Sequence, residues 1–197
     1  MKWLHLTLWG PILFFSLFQD ATRAQSTVEP IKAKQRKLTY QIQPDGSKIL
    51  KQQEAGVFYR ASSGATMNTM GDRSTFMDEQ GNTYNIVHSR KLAKLVVRQD
   101  QPLFYYEMIK KLPPESIKGY EMVNGLNCAI RLVLMNGKPS GKAYSYLPYG
   151  LTVKVETTDP GGSFLVVREM YDIEVAEPDP ALVRIPKGYS INDQAEQ

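Results

Sequence analysis

The sequence predicts a single mainly β domain, built as an antiparallel sheet with one short helix, behind an N-terminal export signal. Three observations predict it. Short period-2 apolar segments recur about every 8 to 12 residues with turn chemistry between them, the pattern of an antiparallel sheet, sandwich or barrel. Only one segment, Leu103 to Leu112, breaks to helical spacing. The first residues form a charged-then-apolar leader, which does not belong to the fold.

Lys2 supplies the positive start of that leader, and Trp3 to Phe18 its uncharged, mostly apolar run. Thr22 and Ala24 are small enough for the −3 and −1 positions of a cleavage site, so residues 1–24 are expected to be a signal peptide, with cleavage after Ser26 as an alternative. Gly10-Pro11 interrupts the run, which falls short of the roughly 20 residues that span a bilayer. The cleaved chain is therefore expected to cross no membrane. Removing 24 of the 197 residues leaves 173, enough for one domain that buries roughly 70% of the surface its unfolded chain exposes. The charge, +4 for the whole chain, falls to +3 when Lys2, Arg23 and Asp20 leave. So small an excess, on an exported chain, argues against nucleic acid as a partner. Part of it lies in Lys32, Lys34, Arg36 and Lys37, so residues 25–37 are expected to be a solvated basic arm. Cys128 is the single cysteine, so no disulfide partner is expected and stability must come from burial.

The domain proper is expected over 38–189. Leu38, Tyr40 and Ile42 alternate into the turn Pro44-Asp45-Gly46, and a return strand runs from Ile49 to Gln53. Further strands are predicted at Val57 to Arg60, Ala65 to Met70, Ser74 to Asp78, Thr83 to His88 and Leu92 to Arg98. The helix follows. Phe104, Met108 and Leu112 fall on one face with Tyr105 beside them, Pro102 suits its start, Lys110 and Lys111 suit its C-terminal end, and Pro113-Pro114 stop it. Ten residues span about 15 Å and are marginal as an isolated helix, so the aromatic face must lie on the sheet.

Asn124-Gly125 then joins Ile117 to Val123 with Leu126 to Met135, because a type I′ turn needs positive φ at both central residues. Leu126, Cys128, Ile130, Leu132 and Leu134 share one face of the second strand. Lys142 to Leu147, Leu151 to Thr157 and Ser163 to Val175 follow, with Glu169 interrupting the apolar face of the last. A buried lone carboxylate is costly, so Glu169 calls for a bulge, a partner or water. Residues 190–197 are polar enough to be a flexible tail.

Two blocks, GYEMVNGLNCAIRLVLMNGK and EPDPALVRIPKGY, with a weaker echo in FMDEQGNTYNIVHSRKLAKLV, resemble a family of exported bacterial proteins related to the lipoprotein carriers LolA and LolB. The resemblance implies a strongly curved antiparallel sheet, an unclosed half-barrel, with the short helix on its concave side. In those carriers the concavity holds the acyl chains of lipoproteins.

Chemistry-bearing residues are few. His88, alone in the chain once the leader is removed, lacks a Gly-x-Ser-x-Gly elbow and is expected to be a surface histidine. Cys128 alternates with leucines and is expected to be a small buried hydrophobe. One histidine and one cysteine do not make a zinc site, neither acidic turn has calcium-loop spacing, and no glycine motif cradles phosphate. No catalytic residue, metal or cofactor is expected. The candidate ligand site is aromatic and apolar: Phe58, Tyr84, Phe104, Tyr105, Met108, Tyr144, Tyr146 and Leu165. Two readings follow for an exported, most simply periplasmic, protein that is not an enzyme. One is a groove for a lipid, acyl chain or lipidated protein; the other is a module with a filled core that docks on an envelope protein.

Overall fold

The computed structural model describes residues 28–98 and 105–192, so the predicted signal peptide lies outside the described residues. Twelve strands form one sheet: β1 (Ile31–Ile42), β2 (Lys48–Arg60), β3 (Thr66–Met70), β4 (Arg73–Met77), β5 (Thr83–Val87), β6 (Leu92–Val97), β7 (Gly119–Val123), β8 (Leu126–Met135), β9 (Lys138–Tyr146), β10 (Leu151–Thr158), β11 (Phe164–Val175) and β12 (Ser190–Asn192). The order across the sheet is β12-β6-β5-β4-β3-β2-β1-β11-β10-β9-β8-β7. Two meanders, β1 to β6 and β7 to β11, are thus joined side by side through antiparallel pairing of β1 with β11. The sheet does not close into a barrel, and a short helix, α1 (Tyr105–Lys110), lies in the connection between the meanders. The mainly β, unclosed half-barrel expected from the resemblance is the fold observed.

The turns follow their chemistry. Asn124 and Gly125 both take positive φ, 49° and 80°, which closes the β7–β8 hairpin with Val123 opposite Leu126. The Asn124 side chain also donates to the Met170 carbonyl at 2.6 Å, tying this hairpin to β11. Pro44-Asp45-Gly46 turns β1 into β2 as expected, with Gly46 N–H donating to Gln43 O at 2.9 Å.

Four expectations need correction. Residues 31–37 are not a solvated arm but the first half of β1, a central strand bonded to β2 on one side and β11 on the other. Ile31, Ala33 and Gln35 are buried, at 0%, 5% and 6% exposure, while Lys34, Arg36 and Lys37 reach acids on the flanking strands. Lys34 pairs with Asp172 at 3.0 Å, Lys37 with Glu54 at 2.9 Å, and Arg36 with Glu169. That last pair also answers the question of Glu169, whose partner is an arginine. The two strands expected over 49–60 are one continuous strand of 13 residues. Ser190–Asn192, expected to fray, adds to the sheet edge parallel to β6, with Ser190 N–H on Lys91 O at 2.9 Å. Finally, α1 buries Tyr106 and Ile109, while Met108 and Tyr105 are about half exposed at 51% and 49%. The helical spacing holds, but the buried face runs through Tyr106 and Ile109 and not through Tyr105 and Met108.

Two apolar clusters hold the sheet. The larger joins Ile31, Ala33, Val123, Cys128, Tyr144, Leu151 and Val153, which come from both meanders. The smaller joins Ala65, Met67, Phe76, Ile86 and Ala93 beneath Val183, Ile185 and Tyr189, so the chain after β11 folds back over β3 to β6. The apolar face expected along β8 is buried only near its start: Cys128 is fully covered, whereas Leu132 and Leu134 are exposed.

Candidate functional site

Where β1 to β5 face β10 and β11, and α1 crosses above them, the structure leaves a groove of about 410 Å³. That lies within the usual range of ligand pockets, roughly 300 to 1,000 Å³. Its apolar walls are Phe58, Met77, Leu151, Val153, Val155 and Met170, with the two helix tyrosines Tyr105 and Tyr106 at one end. Polar side chains ring them: Gln35, Thr66, Asn68, Thr75, Thr83, Thr152, Arg60, Arg168 and Glu169. The clean alternation of Leu151, Val153 and Val155 supplies one wall because period 2 keeps these side chains on one face.

Local sequence chemistry explains how α1 is held there. Gly150 has φ +57, closing the short 3-10 turn Leu147–Tyr149, and the Tyr106 carbonyl approaches so closely that a Cβ on Gly150 would sit 2.2 Å from its oxygen. Only glycine permits both the conformation and the approach. Arg60 lies against the Tyr106 ring at 5.5 Å, Lys110 pairs with Glu29 at 3.1 Å, and Arg131 donates to the Tyr105 hydroxyl. Burial raises the Tyr106 phenol pKa and draws that of Arg60 down to about 10. At one side of the groove the Gln35 amide donates to Val57 O at 2.9 Å and Asn68 Oδ1 at 2.5 Å, which fixes β1 against β2 and β3.

Of the eight residues the sequence singled out, the structure brings Phe58 and Tyr105 to this groove. Phe104 lies outside the described residues. Met108 is on the exposed side of α1. Tyr84 faces the other way, stacked on Phe76 at 5.9 Å under the returning C-terminal segment. Tyr144 is buried in the main core with its hydroxyl donating to Glu156 at 3.3 Å, and Tyr146 packs against the same core and on Tyr149. Leu165 lines a separate hollow of about 350 Å³ with Leu38, Tyr40 and Val167. Sequence reasoning missed Arg60, Tyr106, Val153 and Met170. Phe58-x-Arg60 carried a signal for the first, since period 2 puts the arginine on the same face as the phenylalanine.

Another cleft, of about 420 Å³, lies between the β7–β8 turn and the end of β11, lined by Asn124, Leu126, Tyr149, Tyr171, Asp172, Ile173 and Val175. The groove under α1 is the stronger candidate, since apolar side chains from both meanders and the helix build it.

His88 differs from the expected surface histidine. It is half-buried, with Nε2 on Ser74 Oγ at 2.7 Å and Nδ1 on the Tyr189 hydroxyl at 2.9 Å. Asp72, the nearby carboxylate, accepts from Ser89 N–H and Oγ. The histidine thus clamps the C-terminal segment to the sheet and has a phenol where a catalytic triad has a carboxylate. Cys128 is buried as expected, and burial, aided by Glu121, pushes its thiol up to about 11. Among the described residues no group of three or more His, Cys, Asp or Glu side chains is placed to hold a metal ion, and no helix is long and apolar enough to cross a membrane.

The fold and groove together define a class: a single open, curved sheet that carries a helix-covered concavity. An uncharacterised conserved protein from Thermus thermophilus shares the fold at a TM-score of 0.53 and 11% identity, over 87% of this chain and 93% of its own. A structure of MucB matches at 0.42 and 12%, over 85% of this chain and 61% of its own, and a LolA superfamily protein from Nitrosomonas europaea at 0.37 and 8%, over 79% and 90%. No protein-family model matches the chain, and no curated protein matches it.

Proposed function

We propose that this is an exported, non-enzymatic binding protein that holds an apolar chain, from a lipid or an acylated protein, in the groove under α1. The carrying observation is the groove itself: apolar side chains from both meanders line it beneath a helix of only six residues. Burial of apolar ligand surface there gives roughly 25 cal/mol per Å² removed from water. Threonines and Asn68 flank the apolar walls and add polar contacts to them. The fate of residues 1–24 as a cleaved leader belongs to this proposal too.

The test is native mass spectrometry of the protein purified after export, followed by titration with an environment-sensitive acyl probe. A bound species in the lipid mass range, displaced by the probe, supports the proposal. Protein that is repeatedly empty and ignores the probe overturns it. The second reading, an envelope docking module, is favoured by a different observation. Tyr120 and Met122 on edge strand β7 are exposed at the end of the sheet. A partner captured there would be lost on Met122→Asp and retained in Phe58→Asp, which reverses the pattern expected for groove binding.

A further inference from the structure

Arg60 lies in the groove wall at the end beneath α1, and its residue exposure is 1%. Its Nε donates to the Glu29 carbonyl at 3.0 Å and its guanidinium faces the Tyr106 ring. Its Nη2 is enclosed and has no hydrogen-bond partner. A buried charged donor without an acceptor is costly, and buried cations are normally paired. The nearest carboxylate does not complete the pairing, because Glu29 Oε2 takes the Lys110 ammonium at 3.1 Å. Glu169, the groove's own carboxylate, is taken by Arg36, and Glu107 on α1 by Lys111. Arg168 adds a second positive charge to the wall. An apolar trough therefore ends on a desolvated cation with a donor to spare, inside a positive rim.

Resting on the groove reading above, we propose that Arg60 is a headgroup subsite. The ligand is a single-chain amphiphile whose chain lies along Phe58, Val153 and Val155 and whose anionic head, a carboxylate or a phosphate, accepts from Arg60. The small groove volume fits one chain, and a charge-assisted bond to an anion supplies the acceptor that the guanidinium lacks.

Tetradecanoate, tetradecyl phosphate and tetradecanol, each below its aggregation limit, give the test by calorimetric titration. At least one anion should bind the unmodified protein roughly tenfold more tightly than the alcohol, a difference of about 1.4 kcal/mol. A preference for phosphate points to a phospholipid-type source and a preference for carboxylate to a fatty acid. In Arg60→Met the anion-to-alcohol ratio should fall to about one. Equal binding of anions and alcohol by the unmodified protein overturns the headgroup subsite alone. If none of the three binds, the groove reading fails with it. Should Arg60→Met not fold, the comparison of anions and alcohol in the unmodified protein decides.

Discussion

Replacing Gly150 with alanine tests how α1 is hung over the groove. Alanine at φ +57 carries roughly 1 to 2 kcal/mol of left-handed strain. Its Cβ would also meet the Tyr106 carbonyl oxygen at 2.2 Å and carbon at 2.9 Å, and backbone does not swing aside as a side-chain tip does. The protein can escape that clash only by letting α1 move. This caps the added cost at what docking Tyr106 and Ile109 contributes, roughly 1.5 to 3 kcal/mol for each buried side chain. Gly46→Ala is the matched control: φ is +81, nothing lies within 4 Å, and only strain is added. At roughly 2 to 4 °C per kcal/mol for a domain of this size, the control should lose about 5 °C and Gly150→Ala more, up to about 20 °C. Scanning calorimetry reads the stability, and an acyl probe reads the groove, which should weaken in Gly150→Ala alone. Equal melting temperatures for the two variants would refute the close approach. A destabilised Gly150→Ala that binds the probe normally would refute the role of α1 in the groove.

Other outcomes follow from buried groups. Cys128 should resist iodoacetamide at about pH 8 in the folded protein and react only as fast as the chain unfolds, because burial holds the thiol neutral up to about 11. Rapid labelling under native conditions would contradict its burial. Tyr144, raised from 10.0 to about 12 by burial and then by Glu156 and Glu121, favours its neutral form in the fold. Its contribution to stability is complete below pH 10 and lost as pH rises towards 12, so alkaline unfolding should be steeper in the native sequence than in Tyr144→Phe. Superimposable alkaline profiles would count against this. His88→Ala removes the bonds to Ser74 and Tyr189, so stability should fall by about 1 to 2 kcal/mol and amide exchange should quicken over residues 183–192. Unchanged exchange there would leave the clamp without support.

The sequence showed most where the cause is local. Asn124-Gly125 and Pro44-Asp45-Gly46 specify their turns through backbone conformation alone, and Leu151, Val153 and Val155 announce a strand face by period. It showed least where the deciding partner is far along the chain. Lys34 and Arg36 look like a solvated arm until Asp172 and Glu169 on β11 are placed beside them. Tyr84 lies on the face that the residues around Tyr189 cover, and nothing near Tyr84 says so. The helix was found by spacing, but with aromatic or apolar residues at Tyr105, Tyr106, Met108 and Ile109 its phase is ambiguous, and the approach of Tyr106 to Gly150 settles it. Tyr144 and Tyr146 belong to the main core and not to the groove, a matter of how the strands pack that alternation along β9 does not decide. Period 2 puts Arg60 on the face of Phe58, but the lack of an acceptor for its Nη2 is a property of the packed structure.

The most direct test of the central claim is methyl-selective NMR of the exported protein titrated with a tetradecyl-chain ligand. The account predicts saturable shifts at Met77, Leu151, Val153, Val155 and Met170, which line the groove, with Leu132 and Leu134 on the exposed end of β8 unaffected. Shifts confined to Leu132 and Leu134, or none anywhere at saturating ligand, would contradict it.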